Sequence, residues 1–251
     1  MDVDFMEYPI ISDKCDMSIF KKTRVTLFTG AFGSGKTELS ANFAAKLSGE
    51  GKDTTLVDID IVKPMFRSRE LKTEMANRKV KLVSTLAHLE MADLPALSPQ
   101  IFSSIESDDA QVVIDVGGDD DGARVIGRLS EKLSRSGYEM LYVINTKRPF
   151  TTNLDQIMYM IESVKQACRL EITSLVANTN LGAESSLQIA QEGLSLVKEV
   201  SKLTNIPIRF IALHRELLKD EDDIKELSKL EKLPVFMMDR FMLPPWEKEK
   251  L

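Results

Sequence analysis

The chain has 251 residues, of which 43% are hydrophobic, enough for one large folded unit with a sizeable core. Its net charge of −6 argues against non-specific attraction to nucleic acid or an anionic membrane surface, so nucleic acid is not an expected partner. There is no run of about 18 apolar residues, and the acidic start "MDVDFMEYPIISDKCDM" lacks the basic-then-apolar pattern of a secretory leader. The expected location is therefore cytoplasmic, with no membrane span.

In chain order, residues 1–22 read as an N-terminal arm and 23–251 as a single domain. "RVTLFTG" (24–30) is a continuous apolar run ending in glycine, as in a strand buried on both faces. "KTELSANFAAKLSGEG" places Leu39, Phe43 and Leu47 at helical spacing and stops at Gly49 and Gly51. "DTTLVDID" (53–60) reads as a second strand, "RSRELKTEMANR" as helix and "KVKLVST" (79–85) as a third strand. The stretch 86–98 reads as irregular, and "IFSSIES" as one or two helical turns. "QVVIDVGG" (111–118) is a buried strand, followed by the helix "GARVIGRLSEKLSRSG" and the strand "EMLYVINT". Helix 151–169, strand "EITSLVANTN" (171–180), helix 185–203 and strand "IPIRFIAL" (206–213) follow. A last helix is expected near 215–230, ahead of "PVFMMD", and the tail "PPWEKEKL" reads as a surface segment. This alternation predicts an α/β fold of three layers, with a mostly parallel central sheet flanked by helices.

Cys15 and Cys168 form no CxxC pair. Cys168 continues the apolar face Leu154–Ile157–Met158–Ile161–Val164 and reads as a buried structural thiol. His88 and His214 make no metal-ligand spacing.

The stretch that carries chemistry is "GAFGSGKT", Gly30–Thr37, which satisfies G-x-x-x-x-G-K-[ST] between a strand and a helix. Glycines let the backbone turn with φ > 0 and bring N–H groups up to phosphate oxygens. The helix start adds free N–H groups and a positive dipole end. Lys36 is placed to reach the β- and γ-phosphates, and Thr37 to ligate Mg²⁺. In "VVIDVGG", Asp115 ends a buried strand, where a carboxylate needs a cation or a donor. The same stretch reads D-x-x-G, and the glycine N–H of such a loop can contact a γ-phosphate. In "TLVDIDIVKP", Asp58 and Asp60 share one face of the second strand, at the sheet edge where ligands bind in such folds. Asp60 is the better candidate for ordering the attacking water, the alternative being a solvated loop acid. The expected nucleotide-contacting set is Gly30, Ala31, Phe32, Gly33, Ser34, Gly35, Lys36, Thr37, Glu38 and Gly118. The catalytic set is Lys36, Asp60 and Asp115, and the metal set Thr37, Asp58 and Asp115.

With "GAFGSGKT", the D-x-D of "VDIDIVKP", "VVIDVGG" and "LVANTN", the chain resembles the SIMIBI-class P-loop NTPases of the MinD/ParA and CobQ/CobB group. The resemblance covers roughly residues 23–215 and implies Mg–ATP as ligand, with Asn178 at the place of an adenine-reading asparagine. ParA-like members carry a second lysine at the second place of the loop, which acts across a dimer. Here that place is Ala31, followed by Phe32. A methyl group cannot stabilise phosphate charge, so a trans-acting lysine from this position is absent. Arg67, Arg69, Arg124 and Arg148 are the candidate replacement cations, and surface or pairing roles are the alternative for each. The acidic run 119–121 reads as a solvated helix start, where acids suit the dipole. Guanine-reading loops usually carry N-K-x-D; "NTKR" and "NTNL" both fail that pattern, so ATP is expected over GTP.

Three functions stay open. The first is a regulatory, assembly or maturation ATPase that couples slow hydrolysis to loop changes and to a protein partner or homodimer. The second is a small-molecule kinase or ATP-dependent ligase of the CobQ/CobB or dethiobiotin-synthetase type, whose members also lack the second lysine. The third is a nucleotide-responsive binding module with little turnover.

Overall fold

The structure, a computed structural model, describes residues 17–59, 65–84, 98–107, 109–118, 120–218, 223 and 233–242, with 65–70 and 120–121 described by their helical backbone alone. Its strands are β1 (Val25–Thr29), β2 (Thr54–Asp58), β3 (Lys81–Ser84), β4 (Gln111–Asp115), β5 (Tyr138–Ile144), β6 (Ser174–Ala177), β7 (Ile208–His214) and β8 (Val235–Met238). Its α-helices are α1 (Lys36–Gly49), α2 (Met65–Asn77), α3 (Pro99–Glu106), α4 (Asp120–Ser136), α5 (Leu154–Cys168) and α6 (Leu187–Thr204). The strands form one sheet in the order β3-β2-β4-β1-β5-β6-β7-β8. Every neighbouring pair is parallel, so the expected "mostly parallel" sheet is parallel throughout the described residues.

The inner strands are buried on both faces, and their side chains alternate between two cores. Val25 and Leu27 of β1, Val112 and Ile114 of β4, and Met140, Tyr142 and Ile144 of β5 join α3, α4, α5 and α6 on one side. Phe28, Val113, Leu141 and Val143 face the other way, against α1, α2, Met17 and Phe20. Cys168 lies buried in the first core, as its helical face predicts. Met17 and Phe20, in the stretch read as an arm, are enclosed in the second.

Local chemistry explains where the sequence reading and the structure part. Pro99 sits in the first turn of α3, and the Ser98 hydroxyl accepts from Gln100 N–H, so the helix starts before "IFSSIES". β6 is shorter than 171–180: Asn178 N still donates to the Ile144 carbonyl of β5, but past it the chain turns to bonds with neighbouring loops, Asn178 Nδ2 to Ser34 and Asn180 N to Asn145. "PVFMMD" contributes β8, an edge strand paired to β7. Of the helix expected near 215–230, the described residues hold a 3₁₀ turn at Arg215–Leu217, and most of the remainder lies outside them. The irregular stretch 86–98, apart from Ser98, also lies outside the described residues, as do Cys15, His88 and the tail 244–251.

Candidate nucleotide-binding site

The carboxyl ends of β1, β4, β2, β5 and β6 converge on the loop between β1 and α1. Gly30, Gly33 and Gly35 all have positive φ, at 147°, 76° and 89°. At two of these three the lack of a side chain is demanded by a neighbour as well as by the backbone. A Cβ on Gly30 would run into the Val143 carbonyl, and one on Gly35 would sit 2.5 Å from Asn178 Nδ2. The loop is thus pressed against β5 and the end of β6, and only glycine allows that approach.

Around the loop, the predicted residues come together as follows. Lys36 is 6% exposed, and its Nζ donates to the Ala31 carbonyl at 3.0 Å, which curls the loop around the ammonium. Thr37 Oγ1 donates to Asp115 Oδ2 at 2.7 Å. Asp58 stands directly beside Asp115 in the β2–β4 register, and both are buried. Thr37, Asp115 and Asp58 form a compact all-oxygen donor set, which fits a hard cation such as Mg²⁺. Gly118 abuts the loop: a Cβ there would lie 2.7 Å from Lys36 Nζ and 2.9 Å from Phe32 N. The end of the β4 segment and the tip of the loop are therefore in contact.

Asn178 is 2% exposed, and its Nδ2 donates to the Ser34 carbonyl at 2.8 Å. It latches the loop to β6. Behind it, Asn145 Oδ1 accepts from Lys147 N at 3.1 Å and Asn180 N at 3.2 Å. Asn180 Nδ2 donates to the Asn178 carbonyl at 2.9 Å. This asparagine network ties the loops after β5 and β6 together. Sequence reasoning missed it; the signal was three asparagines at strand ends, Asn145, Asn178 and Asn180.

Other candidates sit elsewhere. Glu38 faces the segment after β8: its carboxylate accepts from the backbone N–H groups of Phe241 and Met242. Asn42, one turn on, bonds Asp239 through both its amide atoms. Burial pushes the Glu38 carboxyl up to about 7, against those two backbone donors and the Arg240 charge. Ala31 is 1% exposed, whereas Phe32 is 80% exposed at the loop tip. Arg124 is exposed on α4, and Arg148 lies along Gly33. Asp60 lies outside the described residues, as do the side chains of Arg67, Arg69 and 119–121.

Solved structures share this architecture at low sequence identity. FtsY of Mycoplasma mycoides is 18% identical, with a TM-score of 0.53 over 87% of this chain and 72% of its own. The cell division protein ftsY of Thermotoga maritima is 20% identical, with a TM-score of 0.54 over 83% of this chain and 69% of its own. The signal recognition particle receptor FtsY of Elizabethkingia anophelis, in a complex with GDP, is also 20% identical, with a TM-score of 0.54 over 83% of this chain and 65% of its own. These likenesses establish the fold. No curated protein sequence matches the chain. A family model described as the CobQ/CobB/MinD/ParA nucleotide binding domain matches residues 25–221, and the chain belongs to that family of P-loop nucleotide-binding domains.

Proposed function

We propose that this protein is a cytoplasmic Mg–ATP-dependent ATPase with a regulatory, assembly or maturation role, coupling slow hydrolysis to loop changes and protein binding. The observation that carries this reading is the 2.7 Å bond from Thr37 Oγ1 to Asp115 Oδ2, with Asp58 beside it in register. Those oxygens would hold Mg²⁺, which neutralises charge on the phosphates when bound. Lys36 and the N–H groups at the start of α1 supply the remaining positive potential.

Support for adenine comes from the loop after β6. Guanine presents N1–H and N2–H₂ donors that need an acceptor, yet the fourth residue of "NTNL" is Leu181, an exposed apolar side chain. Asn178 commits Nδ2 to the Ser34 carbonyl and takes a 3.5 Å contact from Asn180 Nδ2 on Oδ1, so the preference for adenine rests on the missing guanine-reading acid at Leu181. Support for a switch comes from Gly118: its contact with Lys36 and Phe32 links a γ-phosphate to the chain running into α4. Phe32, exposed beside the site, is the natural contact for a protein partner or a second copy.

The test is release of ADP and free phosphate from Mg–ATP by the purified protein, with Lys36→Ala as control. Lys36-dependent phosphate release, even at a slow basal rate, is the expected outcome. A phosphorylated metabolite in place of free phosphate would establish the kinase or ligase reading instead. ATP binding with no turnover would leave a nucleotide-responsive binding module.

A further inference from the structure

Arg148 follows β5 on a loop whose backbone is held in place. Its N–H donates to the Asn145 carbonyl at 3.2 Å, and its carbonyl accepts from Thr151 N at 3.2 Å. Thr151 Oγ1 adds bonds to the Asn145 carbonyl at 2.7 Å and the Arg148 carbonyl at 3.1 Å. The side chain then runs along the phosphate-binding loop. A Cβ on Gly33 would lie 3.5 Å from Arg148 Cδ and 3.6 Å from its Nε. Nε is enclosed, with no hydrogen-bond partner among the described residues. A buried donor of a charged group left unmet is costly, and such groups persist in native structures where a ligand or catalytic role accounts for them. The neighbouring Lys147, by contrast, is paired with Glu192 at 3.1 Å.

Charge makes the same point. A triphosphate carries more negative charge than Lys36 alone offsets, and the second place of the loop is the buried Ala31. Gly33, at φ 76°, turns the loop so that it lies within ordinary van der Waals reach of the Arg148 stem. We infer that Arg148 is the second cation of the nucleotide site, acting in cis on the terminal phosphates from the rim opposite Asp115. A planar guanidinium suits phosphate oxygens geometrically, which a lysine does not match. This rests on the proposed nucleotide site.

The test is calorimetric binding of Mg–ATP, Mg–ADP and AMP to wild type, Arg148→Met, Arg148→Lys and Lys36→Ala, at low and high salt. Methionine keeps the apolar stem over Gly33 and removes only the charge. Arg148→Met is expected to keep the wild-type melting temperature, to weaken Mg–ATP at least tenfold and AMP far less, and to bind ATP with a shallower salt dependence. Arg148→Lys is expected to recover part of the loss. If Arg148→Met binds Mg–ATP as tightly as wild type, while Lys36→Ala does not, the inference is overturned and the nucleotide site stands. Equal weakening of AMP and ATP overturns it too, since the terminal phosphates would then not be what Arg148 reads. If wild type binds none of the three, the nucleotide-site reading falls first and takes this with it. Should Arg148→Met not fold, Arg148→Lys alone decides, its Mg–ATP affinity expected between wild type and Lys36→Ala and a wild-type value overturning the inference.

Discussion

Glu38 and His214 titrate in opposite senses while facing the same two residues. Both feel Arg240 and Asp239, on the segment that follows β8. Burial raises the Glu38 carboxyl from its ordinary 4.5 to about 7; its oxygens are enclosed even though the residue as a whole is half-buried. Burial lowers the His214 imidazole from 6.5 to about 4, with Arg240 adding to the effect and Asp239 opposing it. From pH 4.5 to 6.5 the folded chain keeps a proton on Glu38 that the unfolded chain has lost, so this group makes stability fall as pH rises. Over the same range the unfolded chain carries a proton on His214 that the folded chain lacks, so this group makes stability rise with pH. Each effect is at most on the order of 3 kcal/mol, and the two offset. Glu38→Gln removes one of them. Its urea midpoint is expected to climb from pH 4.5 to 6.5, while the wild-type midpoint stays nearly level. Parallel curves for the two proteins would show that Glu38 does not titrate in that window. Gly118 offers a second test at this scale. Gly118→Ala puts a methyl 2.7 Å from Lys36 Nζ, and the backbone of Phe32 blocks its escape. The expected result is weaker Mg–ATP binding together with a lowered melting temperature, measured side by side; unaltered affinity would mean that 116–118 does not sense the site.

Among the elements, helix ends show how far sequence chemistry reaches. α5 begins at Asn153, whose side chain accepts from Gln156 N–H, and ends on Arg169 in the left-handed conformation at φ 55°. Glycine takes that conformation without a Cβ penalty. Relief of a left-handed penalty of about 1–2 kcal/mol, less the roughly 0.5–1 kcal/mol cost of glycine's extra freedom in the unfolded chain, makes Arg169→Gly modestly stabilising, read as a raised denaturant midpoint at unchanged slope. Elements of this kind were legible because their signals are local: α1, α4, α5 and α6 follow apolar periodicity, and β1, β4 and β5 are uninterrupted apolar runs. The loop Gly30–Thr37 was legible for the same reason, since its chemistry requires contiguous residues. What escaped depends on pairing across the fold. β8 is an edge strand whose partner is β7, which the short run "PVFMMD" does not announce. Glu38 neighbours the loop in sequence, yet its partners are about 200 residues away, at 241 and 242. Arg148 was one arginine among four in the sequence; its place along Gly33 depends on contact across the fold, while the side chains of Arg67 and Arg69 lie outside the described residues.

For the molecule as a whole, the two edges of the sheet separate binding from much of the stability. The nucleotide site gathers at the carboxyl edge. At the amino edge, residues 17–22 cross the sheet: Lys22 N donates to Glu139 Oε2 at 2.8 Å, and Glu139 pairs with Arg209. Phe20 is fully enclosed and meets Phe210 and Phe236 edge-on, with ring centroids 5.6 and 5.4 Å apart. Those rings in turn stack with Phe43 of α1. Phe20→Ala would leave a cavity among rings that cannot close over it, at a cost of about 3–5 kcal/mol. For a chain of this size that is on the order of 10 °C in melting temperature. Tyr159→Ala, at a side chain 74% exposed, is the control and is expected to move it by less than about 2 °C. Saturating nucleotide should then raise both variants and wild type by the same free energy, about 3 kcal/mol at a hundredfold excess over Kd, because distant sites without shared partners add. Thermal melts of the three proteins with and without Mg–ATP decide the matter. A smaller nucleotide shift in Phe20→Ala would show that α1, gripped by the same aromatic cluster through Phe43, carries the strain from one edge of the sheet to the other.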